Sequence, residues 1–230
     1  MALTLYMHPL ASFCHKVLIA LYENATPFTP RIVDFADPQD AAQFLAVWPV
    51  GKIPVLHDSA KDRTLPETTI IIEYLEQFYP GARPLLPRHK SQRLEARLWD
   101  RFFDLYVQVP MQKIVGDRLR PEGARDPHGV AEARAGLRTA YDMIERQLDG
   151  REWALGDGFG IADCAAAPAL FYAGFVEPSP AGHVHLAAYV ERLMARPSVQ
   201  RVLAEARPYF RNFPYREAMP ARFLEDADPA

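Results

Sequence analysis

A chain of 230 residues, 49% hydrophobic and 24% charged, has ordinary globular composition and is long enough for one large domain or two small ones. Its net charge of -3 supplies no field that would gather a polyanion, which argues against nucleic acid as a partner. No run reaches the roughly 20 apolar residues of a membrane span, and two cysteines, Cys14 and Cys164, are too few for a disulfide framework or a four-ligand zinc site.

Met1-Ala2-Leu3-Thr4 runs into a strand-like segment without a basic and then apolar leader, so a cytoplasmic protein is expected. The apolar run at residues 3–7 reads as a strand, residues 13–23 as a helix, 28–34 as a second strand and 39–45 as a second helix. Two short strands follow at 53–57 and 64–65, then a helix over 68–77 with Ile71, Ile72 and Leu75 on its inner side. That order, βαβ followed by ββα, predicts an α/β domain over residues 1–80 with both faces of its sheet covered. Prolines 80, 84 and 87 then break the chain and mark residues 81–89 as a linker. Residues 90–230 carry no strand pattern. Leu94, Leu98, Phe102, Leu105 or Tyr106, and Val109 recur at spacings of three and four, as do Leu137, Tyr141, Ile144 and Leu148, predicting two long helices. Shorter helices are expected at 161–173, 186–195 and 198–206, with Pro110 and Pro168 kinking a helix or ending a turn. Residues 210–230 read as an extended arm with a frayed end. The fold class is thus α/β plus all-α.

Three segments bear chemistry. In Lys52-Ile53-Pro54-Val55, a proline opening a strand after a loop is a candidate cis bond that would turn the Ile53 amide and carbonyl outward, toward a peptide-like ligand pairing as an extra strand. The competing reading is an edge-strand proline. Glu67-Thr68 stands where a helix begins: free first-turn amides and the Thr68 hydroxyl suit a ligand carboxylate, and Glu67 suits an ammonium. Alternatively Thr68 is a plain N-cap and Glu67 a solvated acid. In Ala11-Ser12-Phe13-Cys14-His15-Lys16-Val17, Ser12 faces a helix N-terminus and either donates to a ligand thiolate or caps the helix, while Cys14 points toward the core. His183 and His185, one residue apart and without a nearby Asp or Cys, do not suggest a metal site.

In this order the segments resemble the cytosolic glutathione S-transferase superfamily over nearly the whole chain. The resemblance implies a thioredoxin-like first domain, an all-helical second domain, glutathione as co-substrate, no metal and a homodimer. It implies that Ile53, ahead of Pro54, holds the cysteinyl backbone of glutathione, that Glu67 and Thr68 hold its γ-glutamyl end, and that Lys52 or a neighbour holds its glycine carboxylate. Ala11 occupies the position that carries the activating hydroxyl or thiol in serine-type and cysteine-type members, so Ser12 becomes the candidate catalytic donor. In a glutaredoxin-like reading Ala11 likewise replaces the nucleophile, and Cys14 is only the second cysteine. Gly160-Ile161-Ala162-Asp163 stands where the family commonly has Ser/Thr-x-x-Asp, with Asp163 as a structural cap. Trp99, Phe102, Phe103, Tyr106, Met111 and Lys113 share the long helix that faces the first domain in this family, with Phe103 and Tyr106 the pocket candidates. His8, His15 and Arg118 are either near the cleft or solvated surface. The expected activity is addition of glutathione to a small hydrophobic electrophile, or an isomerisation. The alternative is a non-catalytic binding or regulatory protein of the same fold.

Overall fold

The computed structural model describes residues 2–156 and 158–225. Strand β1 (Leu3–Met7) alternates buried Leu3, Leu5 and Met7 with half-buried residues, the period of two that a strand over a core imposes. It lies inside a four-stranded sheet ordered β2-β1-β3-β4, where β2 is Thr29–Ile32, β3 Val55–Asp58 and β4 Arg63–Leu65. Helix α1 (Ser12–Glu23) supplies the crossover that lets β2 run parallel to β1; β3 is antiparallel to β1, and β4 to β3. Leu5 faces Pro30 on one side and Leu56 on the other.

Helix α1 buries nine of the ten positions from Ser12 to Leu21, all but Phe13, because it lies between the sheet and the helical half. Helix α2 (Pro38–Val47) buries only Phe44; Asp37 caps it by accepting from the Gln39 amide at 2.9 Å. Helix α3 (Thr68–Phe78) buries Ile71, Ile72 and Leu75, as its period required. Residues 80–89 contain no helix or strand, yet they are anchored: Leu85 and Leu86 are buried, the Leu85 amide donates to Glu76 Oε1 at 3.0 Å and its carbonyl accepts from Ile161 at 2.9 Å.

The long helix of the second half is α4 (Lys90–Phe102), which widens into a π-helical stretch at Phe103–Gln108 and continues as α5 (Val109–Arg118). Pro110 neither stops nor breaks it. A proline in mid-helix has no amide to donate and its ring crowds the carbonyl four residues back, and the wider turn just upstream relieves both. Helix α6 (Pro127–Gln147) is capped by Asp126, which accepts from Gly129 N at 2.8 Å. Helix α7 (Ile161–Val176) is the buried centre and runs on through Pro168; α8 (Val184–Ala195) packs beside it, and α9 (Pro197–Ala206) packs on α1 and α8.

Asp163 has the structural role expected of it. It is fully buried and accepts from Gly160 N at 2.8 Å, Ala154 N at 3.0 Å and the Tyr189 hydroxyl at 2.5 Å. Burial pushes its carboxyl up to about 6 against those hydrogen bonds. The glycine at 160 has a packing reason: a Cβ there would lie 2.9 Å from the Leu85 carbonyl oxygen, so a serine or threonine would displace the connecting segment.

Two expectations need correction. The predicted extended arm is instead a set of tight turns, 3-10 at Arg207–Asn212 and Arg216–Ala218, then a short helix α10 (Ala221–Leu224). Its aromatic residues pay for the ordering: Phe210 and Phe213 are buried, and Phe223 packs 5.0 Å from Phe171, ring to ring. The frayed end falls on residues 226–230, outside the described residues. His183 does have an acid at hand, since its Nε2 lies 2.9 Å from Asp142 Oδ1 on α6.

Candidate active site

β1 ends at Met7, and the turn through His8 and Pro9 delivers the chain to α1 with Ala11 in extended backbone as the N-cap residue. Ser12 is therefore the first helical residue, not the cap. The Cys14 and His15 amides donate to the Ala11 carbonyl, whereas those of Ser12 and Phe13 have no acceptor among the described residues. The Ser12 hydroxyl is buried and accepts from Gln112 Nε2 on α5 at 3.4 Å. Cys14 is buried and burial raises its thiol to about 12, so it is no nucleophile at neutral pH. His15 is buried rather than solvated: its Nε2 donates to the Pro9 carbonyl at 2.5 Å, and burial lowers its pKa to about 4. His8 is half-buried with its ring edge on Tyr209, and burial lowers its pKa.

The Ile53-Pro54 bond is cis, with Pro54 buried, Ile53 half-buried and Lys52 exposed. Glu67, not Thr68, takes the cap position of α3, at a φ of 69. A side chain in that left-handed region costs of order 1 kcal/mol, and such conformations cluster at ligand clamps. The Glu67 carboxyl is exposed and makes no capping hydrogen bond, while Thr68 is buried.

Lys52, Ile53, Pro54, Glu67 and Thr68 line one cleft of about 230 Å³ together with Phe13 of the first turn of α1. Trp48 and Val50 close one side. The opposite wall is Arg101, Asp104, Leu105, Val109 and Gln112, all from the long helix. Ser12 does not line the cleft; it meets a residue that does, Gln112. Phe103 and Tyr106 do not line it either. Phe103 is core, its ring 6.1 Å from Trp99, and Tyr106 is exposed with its ring 5.2 Å from Phe102. Arg101, Asp104, Leu105, Val109 and Gln112 recur at spacings of three and four, so the cleft-facing stripe runs on through the π stretch and Phe103 and Tyr106 fall on other faces of the helix. Arg118 holds Glu217 at 2.6 Å and stacks on Tyr215, tying down the C-terminal turns.

Beneath the cleft lies a charge cluster that the pattern of the sequence did not single out. Lys16 is fully buried and lies 2.7 Å from both Asp100 Oδ1 and Asp104 Oδ2; the Thr69 hydroxyl donates to Asp100 Oδ2 at 2.6 Å, and Arg101 Nη1 to Asp104 Oδ2 at 3.1 Å. Burial raises the Asp104 carboxyl and Lys16 opposes it. A lysine inside Cys14-His15-Lys16-Val17-Leu18 and two aspartates four apart among Trp99, Phe102 and Phe103 were the signal available. Among the described residues no group of three or more His, Cys, Asp or Glu side chains could hold a metal, and no helix is long and apolar enough to cross a membrane.

Comparison with known proteins agrees with this architecture. Residues 5–83 match the glutathione S-transferase N-terminal domain, and residues 127–192 its C-terminal domain. The chain is 34% identical over 163 residues to the glutathione S-transferase-like protein LUC7 of a Fusarium species, covering 69% of this chain and 71% of that one. It is 30% identical over 213 residues to FtsZ-localized protein A of Caulobacter vibrioides, covering 89% and 92%. Its backbone matches a glutathione S-transferase of Methylobacillus flagellatus solved with glutathione bound, at a TM-score of 0.78 and 24% identity over 87% of this chain and 98% of that one. With a thioredoxin-like unit followed by a helical one, and both family domains in that order, the chain belongs to the cytosolic glutathione S-transferase superfamily.

Proposed function

We propose that this protein is a glutathione-dependent transferase, or isomerase, that binds glutathione in the cleft, activates its thiol and adds it to a small hydrophobic electrophile. The observation that carries this reading is the convergence of Lys52-Ile53-Pro54, Glu67-Thr68 and the start of α1 on a single cleft. The Ile53 backbone pairs with the cysteinyl residue as a strand would. Thr68 and the first amides of α3 take the γ-glutamyl carboxylate, Glu67 the ammonium, and Lys52 the glycine carboxylate. The sulfur then comes to the N-terminus of α1. There the Ser12 and Phe13 amides, which have no acceptor among the described residues, stabilise the thiolate, and the Ser12 hydroxyl, set behind the cleft wall and accepting from Gln112, becomes a donor to it once the sulfur reaches the first turn. The thiol proton goes to solvent, the sulfur lone pair forms the C–S bond, and the electrophile releases its leaving group or takes up a proton. Leu105 and Val109, rather than Phe103 and Tyr106, form the apolar wall for that electrophile.

Calorimetry with glutathione is the direct test, followed by assays with aryl halides, isomerisable dicarbonyls and peroxides. No binding at millimolar glutathione rejects the reading. Ser12→Ala is expected to raise the pKa of bound glutathione and slow conjugation by roughly ten- to a hundredfold, the worth of one hydrogen bond to a charged group. Unchanged activity removes Ser12 from the mechanism and leaves the amides. Binding without turnover on any substrate class would instead support the non-catalytic reading, whose motive is Ala11; the likeness to a transferase-like relative favours the enzyme.

A homodimer is part of the same proposal. Ile70 and Phe78 on α3 and Leu94 and Leu98 on α4 expose large apolar side chains, Leu94 to 70%, as a surface covered by a second copy would. Sedimentation should give twice the 26.0 kDa chain mass, and a monomer would contradict it.

A further inference from the structure

Glutathione carries two carboxylates and one ammonium. Of the charged side chains named so far in the cleft, Glu67 suits the ammonium and Lys52 one carboxylate. A second cation stands on the opposite wall. Arg101 lines the cleft with its side chain 46% exposed, and its Nη1 donates to Asp104 Oδ2 at 3.1 Å. Its Nε and Nη2 have no hydrogen-bond partner among the described residues, so one edge of the guanidinium fork is open. The acid that aims it cannot wander: Asp104 is buried and held by Lys16 at 2.7 Å. The neighbouring Asp100 accepts from Thr69, next to Thr68 in the first turn of α3, so the turn of the long helix that carries Arg101 is tied to the γ-glutamyl side of the cleft.

We propose that Arg101 is the second carboxylate-binding residue of the site, gripping the γ-glutamyl carboxylate through the free edge of its guanidinium while Asp104 fixes the other. The assignment rests on the glutathione reading above. An arginine fork matches a carboxylate with two parallel hydrogen bonds, where a lysine offers only a point charge. Because Arg101 belongs to the helical half and Thr68 to the α/β half, the ligand's amino-acid end ties the two together. The site is thereby selective for a γ-glutamyl group with a free carboxylate.

The test is calorimetry with glutathione and with its monoethyl ester at the glycine carboxylate, on the wild type, Arg101→Met and Lys52→Met. Arg101→Met should weaken both ligands by the same factor, roughly ten- to a hundredfold. Lys52→Met should weaken glutathione and leave the ester almost as it binds the wild type. Arg101→Lys, which keeps the charge and the pairing to Asp104, should lose less than Arg101→Met and serves if the methionine variant does not fold. If the wild type binds glutathione and Arg101→Met binds it equally well, the assignment is overturned and the glutathione reading stands. If the Arg101→Met loss vanishes with the ester, Arg101 serves the glycine end and the assignment is again overturned. If the wild type binds neither ligand, the glutathione reading falls and takes the assignment with it.

Discussion

Lys16→Met should destabilise the protein by about 4 kcal/mol, the usual cost of removing one partner from a buried ion pair. The methionine fits the volume, so the loss comes from electrostatics. Asp100 and Asp104, both buried, would keep only Thr69 and Arg101 as partners, and Arg101 reaches Asp104 alone. Urea unfolding at pH 7 measures the effect as a fall in midpoint. Replacing Lys16, Asp100 and Asp104 together by apolar residues of similar size should recover most of the stability, because no uncompensated charge is left buried. A single variant as stable as the wild type would show that the cluster does not hold α1 to α4. The cluster also bears on the site: α1 presents Phe13 and the long helix presents Arg101 and Gln112, so Lys16 ties the elements of the two cleft walls to one another.

His15 should make the protein acid-sensitive. In the folded chain burial holds its pKa at about 4, while an unfolded histidine titrates at 6.5. Between those values the unfolded state binds more protons than the folded one, so stability is complete above pH 6.5 and is lost as the pH falls toward 4. The full contribution is roughly 3 kcal/mol. His15→Gln keeps a donor toward the Pro9 carbonyl and cannot titrate. The difference between wild-type and His15→Gln stability, measured by urea unfolding at pH 4 to 7, should therefore shift against the wild type as acid is added. Parallel curves would rule the histidine out as the cause.

Much of the first half was legible because its signals are local. Alternation at Leu3, Leu5 and Met7, the crossover helix and the turn chemistry around Pro54 and Pro66 specify strands and helices within a few residues of themselves. The same holds for Asp163, whose main-chain partner Gly160 is three residues away. The C-terminal segment was misread for the converse reason. Its prolines argue against regular structure, but Phe210, Phe213 and Phe223 are ordered by packing on Phe171, Tyr172 and Phe175, far back in the chain.

The site divides along the same line. The residue types and order around Ile53-Pro54 and Glu67-Thr68 were enough to nominate a site through their resemblance to the family, because both are short contiguous stretches, although the positive φ at Glu67 is imposed by the surrounding structure. The opposite wall was decided only in three dimensions. Packing of the long helix against the first domain put Leu105 and Val109, not Phe103 and Tyr106, on the cleft. Gln112 found Ser12, and Lys16 found Asp100 and Asp104, across 84 to 100 residues of chain. No local pattern encodes such pairs, because the partner of a buried charge depends on which helix the fold brings against it.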